Sequence, residues 1–336
     1  MQHILSFTPE EFSINITSMG EKTFRAKQIL DWIYKKNKMS LDEMQNIPKE
    51  LRDKLIEHFD FSNFIISNKS VSQRDKTTKY LYSLSDGLQI ETVKIYAKDR
   101  ITLCLSSQAG CPYNCSFCAT GKMGLKRDLE VHEILGQIIS SLDEKEKLTN
   151  IVFMGMGEPF ANYDNVLKSI KIINSADAMN FGARRITIST CGLADKIEEF
   201  AKEGLEVNLA ISLNAADNKT RSSLMPINNK FNISRVIAAV NEYIRVTNRR
   251  VTFEYVMLEG INDDINSAVR LATILNGLLC SVNLIVYNQT LGEYIPSDKK
   301  TVVEFQNILT IKGINSTIRK SAGSDIAAAC GQLAVI

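Results

Sequence analysis

Histidine and proline are scarce: the 336-residue chain has three of the first, His3, His58 and His132, and six of the second. So little proline, beside 44% hydrophobic and 23% charged residues, excludes disorder over most of the length and describes a globular protein with a sizeable core. An excess of one charge is also missing, since 40 lysines and arginines meet 38 acidic residues for a net charge of +2. That balance excludes a polycationic nucleic-acid coat and an acidic tail protein. No stretch reaches the roughly 18 uninterrupted apolar residues that mark a membrane span. Residues 1–11 are polar and acidic where a signal peptide would carry a basic segment and an apolar run, so a cytoplasmic protein is expected. The length allows two domains, or a small domain beside a barrel of about 200 to 250 residues.

The hydrophobic pattern changes twice along the chain. Thr8 can cap a helix starting at Pro9, residues 21–36 place Phe24, Ile29, Leu30, Ile33 and Tyr34 near helical spacing, and Pro48 opens a third segment with Leu51, Leu55 and Ile56 on one side. These predict a small helical unit. From 64 to 95 the period is two, and Ser85-Asp86-Gly87 between 79–84 and 88–95 predicts a hairpin. Nearby, Lys69, Arg74, Lys76 and Lys79 read either as a solvated turn or as a phosphate-contacting patch. After Arg100, short apolar runs at 101–107, 150–155, 185–190, 207–213, 251–258, 282–287 and 315–319 alternate with amphipathic helical patterns at 131–142, 164–174, 194–202, 233–246, 264–278 and 301–312. Such alternation predicts βαβ units and a parallel sheet with its ligands at the carboxyl ends of the strands.

Seven cysteines in a long cytoplasmic chain are expected to be metal ligands, redox groups or buried small hydrophobes, and their spacing must decide. In Gly110-Cys111-Pro112-Tyr113-Asn114-Cys115-Ser116-Phe117-Cys118 three thiols follow the first strand of the α/β region as C-x-x-x-C-x-x-C. Thiolates hold iron–sulfur clusters, and three of them on a four-iron cluster leave one iron open to a substrate or cofactor. The competing reading is zinc with a distant fourth ligand. With three histidines in the chain, and the nearest, His132, inside a helical pattern, the cluster is the better reading. Gly157-Glu158 follows a strand; in isolation it reads equally as a strand-to-helix turn or as a close backbone approach beside a carboxylate that accepts from an ammonium group.

The cysteine spacing resembles that of the radical S-adenosylmethionine superfamily. Further segments narrow the resemblance to the bacterial RlmN family, dual-specificity adenine-C2 methyltransferases of 23S rRNA and tRNA. They are Glu91-Thr92-Val93, Cys104 with Ser106-Ser107-Gln108, Cys118-Ala119-Thr120-Gly121, Gly155-Met156-Gly157-Glu158-Pro159, Ser189-Thr190-Cys191-Gly192, Ser212-Leu213, Leu224-Met225-Pro226-Ile227-Asn228 and the run 325–333. The resemblance reaches from the helical start to the last residues. It implies an α/β fold, a radical SAM partial (β/α)6 barrel over 101–336, preceded by a helical RNA-binding domain at 1–60 and a β-hairpin linker at 61–100.

The resemblance also implies roles. One [4Fe-4S] cluster would sit on Cys111, Cys115 and Cys118, with S-adenosylmethionine at the open iron held by Gly157, Glu158, Ser189, Ser212, Leu213, Asn214 and Asn288. Two molecules of S-adenosylmethionine would be consumed per methylation: one methylates Cys330, the other yields the radical that takes hydrogen from that S-methyl group. Its carbon then adds to adenine carbon 2, Glu91 accepts the carbon-2 proton, and Cys104 releases the product by forming a transient disulfide with Cys330. An external, flavodoxin-like electron donor, a monomeric state, and targets at the peptidyl transferase centre and beside the tRNA anticodon belong to the same implication. Cys191 and Cys280 read as packing residues. Two positions depart from the family pattern: Asn214 stands where histidine is usual and can bind but not titrate, and Gln289 replaces a proline.

No RNA-binding fingerprint of the RRM or KH kind is present. The pairs Lys126-Arg127, Arg184-Arg185, Arg249-Arg250 and Arg319-Lys320 read either as phosphate contacts or as salt-bridged surface. Two other functions share much of this pattern: adenine-C8 methylation of the Cfr type, and a noncatalytic metal-binding RNA module that would need neither Cys104 nor Cys330.

Overall fold

The computed structural model describes residues 1–142, 146–290 and 294–335. Ten strands among them form one sheet: β1 (Ile65–Val71), β2 (Thr78–Ser83), β3 (Gln89–Ala97), β4 (Arg100–Cys104), β5 (Asn150–Phe153), β6 (Ile186–Thr190), β7 (Asn208–Ser212), β8 (Val251–Met257), β9 (Cys280–Val286) and β10 (Ser316–Arg319). Their order in the sheet is their order in the chain. Strands β1 to β4 are mutually antiparallel and β4 to β10 are parallel. The hairpin region and the α/β region are therefore one continuous sheet.

Six crossovers join the parallel strands, through α4 (Val131–Ser141), α5 (Tyr163–Asn174), α6 (Ala194–Phe200), α7 (Ile233–Thr247), α8 (Ile265–Leu275) and α9 (Lys299–Ile311). Each helix buries one stripe; α7 does so with Ile233, Val236, Ala239, Val240 and Tyr243, three to four residues apart. The strands beneath turn an apolar face to the helices or the core, as the alternate residues Phe253, Tyr255 and Met257 of β8 show. Asp217, Asn232, Asp264 and Asp298 each cap the helix that follows with a side-chain oxygen.

The sheet is open at both edges yet curls into a partial barrel. Arg319, at the end of β10, places Nη1 3.6 Å from Sδ of Met154, just past β5. A flat sheet would hold those strands about 24 Å apart, five steps of roughly 4.8 Å. The expected strand 101–107 stops at Cys104, because Leu105 and Ser107 turn their N–H groups to the carbonyls of Val152 and Met156.

The helical start contains α1 (Pro9–Ser18), α2 (Phe24–Leu30) and α3 (Lys49–His58). Thr8 and Glu11 form a reciprocal capping box before α1. The pattern expected over 21–36 begins at Phe24 and closes in a π turn, Asp31–Lys35. His3 stacks on His132 of α4 with centroids 4.6 Å apart, and Glu11 pairs with Lys168 of α5 at 2.7 Å, so this unit rests on the first two crossover helices. No helix among the described residues is long and apolar enough to cross a membrane.

Candidate active site

The loop carrying the three cysteines is pinched at its base, where Gln108–Ala109 pairs with Arg127–Asp128. Gly110 has φ +80°, and a Cβ there would lie 1.8 Å from the carbonyl oxygen of Gly124, so the pinch requires glycine. Inside the loop the Cys111 N–H donates to Gly124 O at 3.2 Å and the Cys118 N–H to Cys115 O at 3.0 Å. Across the barrel mouth the Ser116 N–H donates to Leu224 O at 2.9 Å, and Tyr294 donates its hydroxyl to Ser116 Oγ at 2.7 Å.

All three cysteines border one cavity of about 160 Å³, together with Gly157, Glu158, Ser189, Ser212, Asn214, Asn288 and Cys330. Among the described residues no three His, Cys, Asp or Glu side chains converge closely enough to hold a single metal ion. A cubane cluster asks for another arrangement, since each thiolate takes a different iron and the sulfurs stand apart around a shared space. Three thiols facing one cavity without meeting at a point fit that cluster better than a zinc tetrahedron. In the free thiol form burial pushes Cys111 up to about 12 and raises Cys115 and Cys118 as well.

Glycines let the loop that follows β5 enter this wall. A Cβ on Gly155 would meet the backbone of Leu105 at 2.7 Å, and one on Gly157, at φ +100°, would meet Gln108 at 2.6 Å. Glu158 is buried; Oε1 accepts from the Phe160 N–H at 3.0 Å and Oε2 from the Cys191 N–H at 2.7 Å. Burial raises its carboxyl above the ordinary range while those two donors oppose the rise. Ser189 and Ser212, at adjacent strand ends, bring their hydroxyls to 3.4 Å. Leu213 buries its side chain in the core and does not line the cavity. Asn214 has φ +58°, a conformation asparagine tolerates, and its amide donates to Met225 Sδ at 3.2 Å and accepts from the Val256 N–H at 2.9 Å.

A larger cavity of about 620 Å³ adjoins the first and is walled by Val93, Ile95 and Tyr96 of β3, Thr102 and Cys104 of β4, and the segment from Arg319 to Leu333. Cys330 borders both cavities, and Cys104 only the larger one. Burial first, then the nearby charge of Cys330, pushes the Cys104 thiol up to about 12. Asn288 donates to Cys330 O at 3.1 Å, and the Ala119 N–H donates to Gly331 O at 2.8 Å. The β1–β2 turn and the start of β2 clamp the same segment from the other side: the Gly323 N–H donates to Asp75 Oδ2 at 2.9 Å, the Gln73 N–H to Asp325 Oδ2 at 3.2 Å, and Lys79 Nζ to Ala327 O at 3.3 Å.

Lys79 also pairs with Glu91 at 2.8 Å, and the second Glu91 oxygen accepts from the Ala334 N–H at 3.0 Å. Glu91 lines neither cavity, although Val93 and Ile95, on the same face of β3, line the larger one. Burial raises its carboxyl, and Lys79 works against that rise.

Residues 105–272 match the Radical SAM superfamily, and residues 2–60 match the ribosomal RNA large subunit methyltransferase N-terminal domain. A probable dual-specificity RNA methyltransferase RlmN of Thermotoga sp. (strain RQ2) is 46% identical over 334 residues, covering 99% of this chain and 97% of the relative. The protein of that name from Dictyoglomus turgidum is 47% identical, with the same coverage. A crystal structure of a radical SAM methyltransferase from Sphaerobacter thermophilus superposes with a TM-score of 0.96 at 41% identity over 99% of both chains. The chain belongs to the RlmN family of radical SAM enzymes. Its fold is therefore the radical SAM fold, and its family implies a four-iron cluster and S-adenosylmethionine.

Several residues of this RlmN-family site were not legible as such. Arg221 is fully buried and donates to the carbonyls of Leu213, Phe231 and Cys191 and to Asn228 Oδ1 at 2.7 to 3.1 Å, which ties the ends of β6 and β7 together. Arg319, read above as half of a scattered basic pair, lines both cavities. Glu254 carried no signal beyond being an acid inside an apolar strand. Of the other pairs, Arg127 binds Asp86 at 2.6 Å and Glu133 at 2.8 Å, and Arg184 binds Glu206 at 2.7 Å, so both are held by acids of this chain.

Proposed function

We propose that this chain methylates carbon 2 of adenosine in 23S rRNA and in tRNA, with Cys330 as the carbon carrier. One observation carries the reading: Cys330 stands in the wall shared by the two cavities. A group that collects a methyl from a cofactor on one side and delivers its carbon to a nucleobase on the other needs that place. The base is expected in the larger cavity, flipped out of its RNA stack. When bound, a cluster with S-adenosylmethionine would supply the methyl group and the hydrogen-abstracting radical that an unactivated aromatic carbon demands.

The chain's own residues do the remainder. Gly157, Glu158, Ser189 and Ser212 orient the cofactor; Asn288 fixes the backbone of Cys330 between the cavities. Cys104, which borders the larger cavity as Cys330 does, attacks the Cys330 sulfur and releases the product. Glu91 accepts the carbon-2 proton once the Ala334 N–H has let go of it, since its face of β3 opens on the base cavity. An external one-electron donor of the flavodoxin kind completes the cycle, and the 1–60 unit adds RNA contacts.

Mass spectrometry of adenosines after anaerobic reaction of the reduced, cluster-loaded protein with unmethylated rRNA tests this. Product at carbon 2 is expected. Product at carbon 8, or none with S-adenosylmethionine intact, overturns it.

A further inference from the structure

Two charged groups on the cavity walls lack partners equal to their chemistry. Arg319 ends β10 and borders both cavities; its guanidinium makes one hydrogen bond among the described residues, to the thioether of Met154 at 3.6 Å. A thioether is a weak acceptor for a group with five N–H donors. Glu254, in the middle of β8, is 4% exposed and borders the smaller cavity. Its Oε1 accepts from Asn283 Nδ2 at 2.9 Å, while its buried Oε2 has no partner among the described residues.

The register shows how the two are related. Glu254 lies beside Asn283 of β9, Asn283 beside Thr317 of β10, and Arg319 is two residues beyond Thr317, so it falls on the same face. Both side chains therefore leave the inner surface of the barrel with one strand between them, and no ion pair joins them. Holding a buried carboxylate and a half-buried guanidinium apart without contact is costly unless something fits between. The missing component must accept from the guanidinium, donate to the carboxylate, and be narrow enough to enter between strand ends. An adenine edge meets all three demands, because it carries a ring-nitrogen acceptor next to an exocyclic amine donor.

We propose that Arg319 and Glu254 bind an adenine edge at the junction of the two cavities, Arg319 donating to a ring nitrogen and Glu254 accepting from the exocyclic amine. The inference rests on the function above in that this function brings two adenines to the site. One belongs to the target nucleotide, to which Arg319 points through its place in the larger cavity; the other belongs to S-adenosylmethionine, to which Glu254 points through the smaller one.

The experiment measures affinities of the cluster-loaded protein in two arms. One titrates S-adenosylhomocysteine against its 1-deaza, 3-deaza and 7-deaza adenine analogues and against the purine analogue that lacks the amine. The other titrates a short RNA hairpin carrying the target adenosine, or the same four replacements at that position. Wild-type protein is expected to lose about tenfold or more in affinity for the 1-deaza or the 7-deaza analogue and for the purine in the same arm, and to bind the 3-deaza analogue, whose replaced nitrogen is not beside the amine, like the parent. Arg319→Met should bind the parent ligand more weakly by a similar factor and show no further loss on that deaza analogue; Glu254→Leu should behave likewise toward the purine. The arm that responds identifies which adenine is held. If Arg319→Met does not fold, Arg319→Lys, which keeps the charge and loses the planar fork, carries the same comparison with a reduced penalty. The proposal is overturned if neither arm penalises any analogue, or if the variants discriminate as the wild type does. Methylation of the parent RNA by wild-type protein is read alongside, so failure of the methyltransferase reading is seen separately from failure of the adenine contact.

Discussion

The two cavities are built by different means. The smaller is walled by consecutive strand ends and glycine turns braced by buried bonds to backbone: Glu158 in the wall to Phe160 and Cys191, and Arg221 behind it to three carbonyls. The larger is made by laying the segment after β10 against the β1–β2 turn, residues about 250 positions apart in the chain, through Asp75, Gln73 and Lys79. On the side of that turn, a few exposed or half-exposed hydrogen bonds hold the wall. The difference matches two chemical demands: a radical-generating site must stay closed and fixed, whereas a site for a base in a large RNA must open to admit and release it.

Cys330 belongs to both, so its loss is the largest break. Cys330→Ala is expected to abolish RNA methylation while leaving S-adenosylmethionine binding within a few-fold of wild type, read by mass spectrometry and calorimetry. Cys104→Ala, confined to the larger cavity, should still form the carbon–carbon bond and accumulate a protein–RNA crosslink visible as a slow band on a denaturing gel. Full turnover by either variant would remove the carrier and resolving roles.

Next comes the wall of the smaller cavity. Arg221→Met leaves three buried carbonyls and the Asn228 amide oxygen without their donor, which should lower stability by about 3 kcal/mol, since each unsatisfied buried group costs roughly 1 to 3 kcal/mol and neighbours relax together. Denaturant midpoints check the value. On the other wall, Asp75→Ala removes half-buried contacts to the Gly323 and Thr77 N–H groups and should cost about 1 to 2 kcal/mol. Its effect should appear as faster hydrogen exchange after residue 320, with exchange in the cysteine loop unchanged. Equal loosening of both regions would erase the contrast between them.

What was readable in the sequence follows the same division. Short apolar runs located six of the seven parallel strands within two residues, because burial concentrates hydrophobic side chains there, while the run 101–107 extends three residues past the end of β4. The thiol spacing and the glycine turn are local, and so were visible. Arg319, read as a phosphate contact or as salt-bridged surface, gave no sign of lining a cavity for a physical reason: nothing beside Lys320 tells that the sheet curls and brings it to Met154. Lys79 was grouped with Lys69, Arg74 and Lys76, yet it alone pairs with Glu91, and it does so through pairing between β2 and β3 that places Leu81 opposite Glu91. Contacts between segments 250 residues apart leave no periodic trace in either.

Lys79 gives the finest test of how the two walls communicate, because one ammonium group touches both the Glu91 carboxylate and, at Ala327, the segment that leads to Cys330. A base must be ionised to accept a proton. Burial favours the neutral carboxyl and Lys79 favours the charged form, so the wild-type acid limb should lie above the ordinary carboxylate range but be held back by the lysine. Removing the cation in Lys79→Met lets the neutral form persist to higher pH. The acid limb of product formation should therefore move upward by about one pH unit, with Lys79→Arg restoring it. Loosening of the carrier segment alone would lower the rate at every pH and leave the limb in place. An unmoved limb would thus show that Lys79 acts only on the wall, and a limb moved to lower pH would exclude Glu91 as the group it controls.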